Sequence, residues 1–258
     1  MKHLVEQNLD HLTALRHKLH QCPEPAFAET QTARLIADEL CDIGLDFQTG
    51  LARTGLVADW NPGAKGKYII LRSDMDALPV QETTGRAYQS TRKGFAHSCG
   101  HDGNTAVLLG TARLLQELNP DWPVHIRFLF QPAEEKGRGA PAMIKAGALG
   151  NQKPDAFLTI HGWPFLPAGS VGGLPGPLLA NSDSIKIKVI GRGGHGARPQ
   201  YARNPLEGMA AIVDTLKTMN TPQRVVTLCT ARVGQRHNTI ADFGTLTGTL
   251  RTFDPDLR

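Results

Sequence analysis

Three apolar runs of strand length limit what this chain can fold into. They are "KYIILRS", "VHIRFLFQ" and "DAFLTI", all within the first 160 residues, and helix-like segments separate them. The segment "TAVLLGTARLLQEL" has strong helical spacing of its apolar residues and lies between the first two runs, and "GAPAMIKAGAL" follows the second. "GLVADW" is predicted as a further strand, and residues 3–20 and 30–43 as helices. Strands that alternate with helices are typical of an α/β domain with a mostly parallel sheet.

The pattern changes near residue 180. "SDSIKIKVIGRG" alternates polar and apolar residues, "NPLEGMAAIVDTLKTM" predicts a helix with Pro205 in its first turn, and two alternating strand-like segments follow. Half-exposed strands around one helix indicate a smaller α+β layer. The Gly/Pro-rich stretch 166–180 is the natural boundary. We therefore expect a catalytic domain over residues 1–180 and a second domain over 181–258.

The net charge, hydropathy and cysteine content indicate which kinds of partner and which cellular compartment to expect. The net charge is +4 without a Lys/Arg block, which favours small anionic molecules and argues against nucleic acid. No stretch approaches the ~20 apolar residues of a membrane helix, and "MKHLVEQNLD" does not resemble a secretory signal. The four cysteines are widely spaced, which favours a reducing cytoplasm. We expect Cys22, Cys41 and Cys229 to be structural thiols.

The segment "GFAHSCGHDGN", residues 94–104, gathers several metal-ligand types. His97, Cys99, His101 and Asp102 lie within six positions and are flanked by glycines. Three explanations are open at this point. The segment is part of a metal site, or it carries a thiol nucleophile with a neighbouring base, or it is a polar surface loop.

Polar residues follow each of the three apolar runs at the point where it ends. Asp74 and Asp76 follow the first, the pair Glu134–Glu135 follows the second, and His161 follows the third. In open α/β sheets, ligands bind beyond the carboxyl ends of the strands. The 94–104 segment precedes the helix between the first two runs, so it can face the same edge. The sequence therefore predicts a metal site built from several loops.

The chemistry of this set suits a divalent metal. Cys, His and carboxylate ligands together fit Zn, Mn, Co or Ni, and the set is large enough for two ions. The side chains of adjacent residues in an extended segment point apart. One member of the Glu134–Glu135 pair can therefore bind metal while the other stays free as a general base. A free carboxylate beside a metal-bound water is the least that a hydrolytic site requires.

Each residue also has a simpler explanation. Taken alone, the Glu134–Glu135 pair is a solvated face, His161 is a core histidine, and Asp74 and Asp76 form a turn before the next proline. Their joint placement at matching strand ends favours the metal site. His97 is either a partner of a metal ligand or a plain loop residue, and both remain open.

The thiol explanation would make Cys99 the nucleophile and His101 its base. Residues two positions apart rarely reach each other well, and the three residues after the second and third strands would have no role. We therefore disfavour it. We expect structural or surface roles for the other histidines: His3, His11, His17, His20 and His125.

Six segments in order resemble the motifs of the M20 peptidase family. They are "RHKLHQCPEPAFAET", "SDMDALPVQE", "AHSCGHDGNTA", "QPAEEKGRGAPAMIKAGAL", "IHGWPFLPAGSVGGLPGPLLA" and "GRGGHGARP". The match is best to the aminoacylase/hippurate hydrolase branch, which includes the auxin-conjugate amidohydrolases. It runs from about residue 12 to the last residue. It departs from the usual "HACGHDGHT" at Ser98 and Asn104, and Gly162 and Ala241 stand where the family commonly has Asn and Pro.

The resemblance implies roles for individual residues. Cys99, His101, Glu135 and His161 would be ligands of a dinuclear metal site, and Glu134 would be the general base. In the second domain, a lid that also forms a homodimer, His195 would reach an active site, that of the dimer partner, and hold the substrate carboxylate or the oxyanion there. Asn238 would also contact substrate. Independently of the resemblance, the positions of Asp74, Asp76 and His97 make them candidates for residues around the ligands.

The resemblance also implies that the chain is C-terminally truncated, because family members continue past "GTLRTFDPDLR" and supply a last histidine ligand there. The predicted function is metal-dependent hydrolysis of the amide bond of N-acyl amino acids, in the cytoplasm, without a nucleic-acid or membrane partner. Two alternatives remain open: an aminopeptidase or dipeptidase of the same superfamily, and an inactive fragment that folds and binds metal.

Overall fold

The computed structural model describes all 258 residues and divides into two compact units, Met1–Phe165 and Leu166–Arg258. The second unit begins with the Gly/Pro-rich stretch 166–180. The division into domains 1–180 and 181–258 stays a prediction. No helix combines the length and the apolar character needed to span a bilayer.

The first unit contains four helices and five strands. Their bounds are α1 (Lys2–Gln21), α2 (Thr30–Ile43), β1 (Phe47–Leu51), β2 (Gly55–Trp60), β3 (Lys67–Asp74), α3 (His101–Leu118), β4 (Val124–Gln131), α4 (Gly139–Lys145) and β5 (Ala156–Thr159). The strands form one sheet in the order β1-β2-β4-β3-β5. β3 pairs in parallel with β4 and β5, whereas β2 runs antiparallel to both β1 and β4. Four of the five strands therefore point in one direction, and the predicted α/β class with a mostly parallel sheet is confirmed.

Apolar residues on both faces of the sheet explain why helices cover it on two sides. On one face, strand residues such as Leu56 and Phe128 pack with buried residues of α1, α2 and α3. On the other face, Val57 and Leu129 pack with Met143 of α4. Neighbouring residues of a strand point to opposite faces of the sheet. Because both faces are covered, residues on both are apolar, and the runs do not alternate between polar and apolar residues.

One predicted boundary is wrong, and one strand was missed. The predicted loop 94–104 ends at Gly100, because α3 begins at His101 rather than after Asn104. The left-handed conformation of Gly100, with φ 87°, lets the chain turn into the helix there. The strand β1 was not predicted, because four of its five residues are exposed and its sequence "FQTGL" has no apolar run.

The second unit has the α+β pattern that the sequence predicts. It contains β6 (Asp183–Ile190), β7 (Gly194–His195), a short 3-10 helix (Pro199–Tyr201), α5 (Pro205–Thr218), β8 (Arg224–Val233), β9 (Thr239–Ile240) and β10 (Phe243–Thr252). The three long strands form an antiparallel sheet in the order β6-β10-β8, and β7 pairs with β9. Asn204 caps α5 by accepting a hydrogen bond from the Leu206 amide, and Pro205 occupies the first helical position.

Candidate metal centre

The carboxyl ends of three parallel strands lie along one edge of the first unit's sheet. Asp74, the last residue of β3, pairs with Gln131, the last residue of β4, and Thr159 at the end of β5 pairs with Arg72. The residues that follow these strands therefore leave the sheet side by side. Asp76, Glu134 and His161 reach the same edge for this reason.

One group of ligand atoms consists of Cys99, His101 and His161. One ligand atom from each lies within 4.8 Å of the others, and Cys99 Sγ is 3.5 Å from His161 Nε2. The rings of His101 and His161 meet edge to face, with centroids 5.5 Å apart. His101 is buried and His161 is exposed, so the group extends from the interior to the surface.

A second group shares His101 and adds the two acids. One ligand atom each of His101, Glu134 and Glu135 again lies within 4.8 Å of the others. Glu134 Oε2 is 4.0 Å from His101 Nε2. The five residues therefore form two overlapping groups around one imidazole rather than one compact group.

A hydrogen bond fixes the orientation of the His101 ring. Nδ1 lies 2.8 Å from the backbone carbonyl oxygen of Asp76, which can only accept, so Nδ1 carries the proton. In the neutral ring, which is the form that binds a metal, Nε2 therefore presents its lone pair. It is buried and has no protein partner, and the same is true of Glu135 Oε1. Buried polar atoms without partners are costly, and a cation at this place would satisfy both.

The electrostatics of the group also favour a cation. Desolvation lowers the pKa of His101, but Asp76 and Cys99 beside it outweigh that effect and raise the pKa to about 11. Burial raises the pKa of Glu134, and the negative charges of Asp74 and Glu135 raise it further. The negative charges that stabilise a proton on this imidazole and on this carboxylate also stabilise a metal ion.

Two carboxylates that the sequence placed near the ligands have defined contacts. The buried carboxylate of Asp76 accepts hydrogen bonds from the backbone amides of Glu134 at 2.9 Å and Glu135 at 3.1 Å. Burial raises the pKa of Asp76, but His101 and these two amides outweigh burial and hold it below its ordinary value. The carboxylate of Asp74 instead accepts from Arg72 Nε at 3.0 Å. Asp76 thus supports both the imidazole and the acid pair.

Asn104 has a role that sequence reasoning did not assign. Its Oδ1 accepts a hydrogen bond from the Gly162 amide at 3.1 Å, and the Gly162 carbonyl oxygen lies 2.8 Å from His161 Nδ1. These bonds connect the first turn of α3 to the segment after β5 and direct His161 Nε2 towards Cys99. An asparagine at the end of a polar segment gives no sequence signal for this contact.

His97 and Asp102 are buried and belong to neither ligand group. Desolvation is the main cause that lowers the pKa of His97 to about 4. Asp102 Oδ2 accepts from His20 Nδ1 at 2.7 Å and from Arg16 Nε at 2.8 Å. This ion cluster ties α1 to the start of α3. His20 is therefore structural, as expected.

One argument against the thiol explanation was wrong. Ligand atoms of Cys99 and His101 lie within 4.8 Å of each other although the residues are two positions apart, because the turn at Gly100 brings them together. The other argument stands, since a thiol mechanism leaves Glu134 and Glu135 without a role.

In the second unit, the structure brings the two predicted substrate residues together. His195 in β7 pairs with Thr239 in β9, and the Gly196 amide donates to the Asn238 carbonyl at 2.8 Å. The Ala197 amide donates to His195 Nδ1 at 3.1 Å, so in the neutral ring the proton sits on Nε2. The exposed His195 therefore presents an N–H donor to solvent.

Comparison with known proteins identifies the class. Residues 70–240 match the model of peptidase family M20/M25/M40, and the chain belongs to that family. It is 38% identical to the N-acetyl-L-cysteine deacetylase of Bacillus subtilis and 37% identical to the hippurate hydrolase of Campylobacter jejuni, over 96% and 95% of its own length. It spans 60% and 65% of those two relatives.

A solved structure gives the same result for the fold. The chain superimposes with a TM-score of 0.81 and 31% identity on a dinuclear metal-binding peptidase of the M20 family from Bacillus subtilis. The match covers 96% of this chain and 65% of that one. The predicted resemblance to the M20 family is confirmed.

Proposed function

We propose that this chain carries the active site of a metal-dependent amidohydrolase that hydrolyses the amide bond of N-acyl amino acids. The observation that carries the proposal is the pair of overlapping ligand groups that share His101, with the adjacent acids Glu134 and Glu135 in one of them. The family membership and the names of the relatives support it.

Cys99, His101, Glu135 and His161 are proposed to hold the metal, with two ions at the site. Thiolate, imidazole and carboxylate ligands together suit Zn, Mn, Co or Ni. The buried and unpartnered His101 Nε2 and Glu135 Oε1 support this assignment. When bound, the metal polarises the scissile carbonyl and lowers the pKa of water.

Glu134 is proposed as the general base. Its side chain is 41% exposed, so water and substrate can reach it, whereas the neighbouring Glu135 has a buried oxygen. Glu134 would take a proton from the attacking water and pass it to the nitrogen of the leaving amine. Its raised pKa makes it a stronger base than an ordinary carboxylate for the first step.

The substrate class rests on the relatives. N-acetyl-L-cysteine and hippurate both carry an amide between an acyl group and an amino acid, and enzymes named for them are similar to this chain over most of its length. His195 is proposed to donate its Nε2–H to the substrate carboxylate or the oxyanion, with Asn238 as a second contact. A homodimer through residues 181–258 and a cytoplasmic location remain proposals.

The experiment is a substrate panel with a matched inactive variant. The purified chain, loaded in turn with Zn, Mn, Co or Ni, is assayed against N-acetyl and N-benzoyl amino acids and against unblocked dipeptides. We expect weak release of amino acid, from the N-acyl substrates only, and a further loss of about 100- to 10,000-fold in Glu134→Gln, the usual contribution of a general base. Faster cleavage of unblocked dipeptides would contradict the proposed substrate class, and equal rates in Glu134→Gln would contradict the role of the base.

A further inference from the structure

The acid pair follows a residue with an unusual backbone. Ala133, directly before Glu134, has φ 55° in the left-handed region that non-glycine residues rarely adopt. A side chain with a Cβ is destabilised there, so the conformation persists only where surrounding contacts hold it. Strain of this kind beside a functional side chain points to contacts that fix its position.

A buried carboxylate from a distant segment supplies the first contact. Glu29 is fully buried, and its Oε1 accepts hydrogen bonds from the Ala133 amide at 2.9 Å and the Phe27 amide at 3.0 Å. Its Oε2 accepts from the Thr54 hydroxyl at 2.6 Å. Glu29 stands just before α2, yet it does not cap that helix. Its carboxylate is instead directed at the turn that carries the acid pair.

Asp76 completes the arrangement from the other side. It accepts from the amides of Glu134 and Glu135, while Glu29 accepts from the amide of Ala133. Three consecutive backbone N–H groups are thus held by two buried carboxylates. The backbone from which both acids project is fixed at every amide.

We infer that Glu29 is a positioning residue for the acid pair. The roles of Glu134 as base and Glu135 as ligand in this inference rest on the proposed function. Glu29 belongs to neither ligand group. It acts by holding Ala133 in the left-handed conformation that sets the direction of Glu134 and Glu135. Sites of this kind require side chains held to within about 0.5 Å. Removing residues that orient metal ligands typically costs about 10- to 100-fold in metal affinity or activity.

The same segment offers a matched control. Glu24 is also buried, and its carboxylate accepts from the Thr32 amide at 2.8 Å and from Arg92 at 3.2 Å, but not from the acid turn. Glu24→Ala therefore removes a comparable buried carboxylate without touching the turn. Glu29→Gln is the conservative variant, since its amide oxygen can still accept from Ala133 and its amide nitrogen can donate to the Thr54 hydroxyl.

The first measurement is hydrogen–deuterium exchange of the metal-free chain over Ala133–Glu135. We expect exchange about tenfold faster in Glu29→Ala, the factor that corresponds to a lost hydrogen bond of about 1.4 kcal/mol. Glu24→Ala and Glu29→Gln should exchange like the unaltered chain at these amides. If Glu29→Ala does not fold, Thr54→Val, which removes one anchor of the carboxylate, carries the test and should also accelerate exchange.

The second measurement is zinc affinity by competition with a chelating dye. We expect a loss of about 10- to 100-fold in Glu29→Ala, recovery in Glu29→Gln, and no change in Glu24→Ala. Equal effects of the Glu29 and Glu24 variants on exchange or affinity, or none from Glu29, would overturn the inference. If the unaltered chain binds no zinc, the proposed function fails, while the exchange data still decide whether Glu29 holds the turn.

Discussion

Asp76→Asn tests whether one buried carboxylate organises the metal centre. Asp76 is 1% exposed and accepts from the Glu134 and Glu135 amides at 2.9 and 3.1 Å. Asparagine keeps one acceptor oxygen and places an NH₂ group where the other oxygen was. One backbone amide would then face a donor instead of an acceptor.

The magnitude follows from the bond that is lost. A hydrogen bond to a charged group contributes about 1.5–3 kcal/mol, so the free energy of unfolding of the metal-free chain should fall by about that amount. Zinc affinity should fall by about 10- to 100-fold, because Glu135 and His101 both lose part of their support. The assays are urea unfolding of metal-free protein and zinc competition titration.

Asp155→Asn serves as the control. The Asp155 carboxylate also accepts a hydrogen bond from a backbone amide, that of Tyr68, at 2.9 Å. This contact lies at the start of β3, whereas the proposed ligands follow the ends of the parallel strands. The Asp155 side chain is 40% exposed. The exposed Asp155 carboxylate is screened by water, so both the free energy of unfolding and the zinc affinity should change little in this variant. Unchanged zinc affinity in Asp76→Asn, or an equal loss in Asp155→Asn, would refute the reasoning.

Two further predictions address the acid pair and the pH dependence. Glu135→Gln should lower the metal content measured by elemental analysis, whereas Glu134→Gln should leave it nearly unchanged, and equal losses would show that the roles are wrongly divided. Burial raises the pKa of Asp59, but hydrogen bonds from Arg127 and His125 outweigh burial and hold the pKa below its ordinary value. Its stabilising contribution is therefore complete above about pH 4 and is lost as the pH falls through the lowered pKa. Below about pH 4, the free energy of unfolding should therefore decline less steeply in Asp59→Asn than in the unaltered chain. Urea unfolding between about pH 5 and 2 measures this slope. Identical slopes in the two proteins would contradict the assignment.

Local patterns were sufficient to predict the central elements of the first unit. The apolar runs that became β3 and β4 are largely buried in the sheet, which is why such runs can be recognised in a sequence. β5 was recognised by its apolar sequence, although three of its four residues are exposed. β1 was missed because its sequence "FQTGL" contains no apolar run. The start of α3 was misplaced because the polar residues at its first turn are buried by the site itself rather than by an apolar core.

The candidate residues of the site could be picked out because each lies within four residues after a strand or at the start of α3, whereas their division into ligands and base rested on the family resemblance. Asp76 was picked out for the same reason, but Glu29 and Asn104 were not, since their contacts join distant segments. Glu29 reaches an amide 104 positions away, and Asn104 reaches one 58 positions away. Both are ordinary polar residues in their local context, and only the folded chain shows what they hold.

The measurement that tests the central claim most directly is anomalous diffraction from a crystal of this chain soaked with zinc. We expect an anomalous peak about 2.3 Å from Cys99 Sγ and about 2.0–2.1 Å from a ring nitrogen of His101 or His161, the usual zinc distances. A second peak should lie beside Glu135. Zinc bound only elsewhere, or no peak among these residues at saturating zinc, would contradict the assignment of the site.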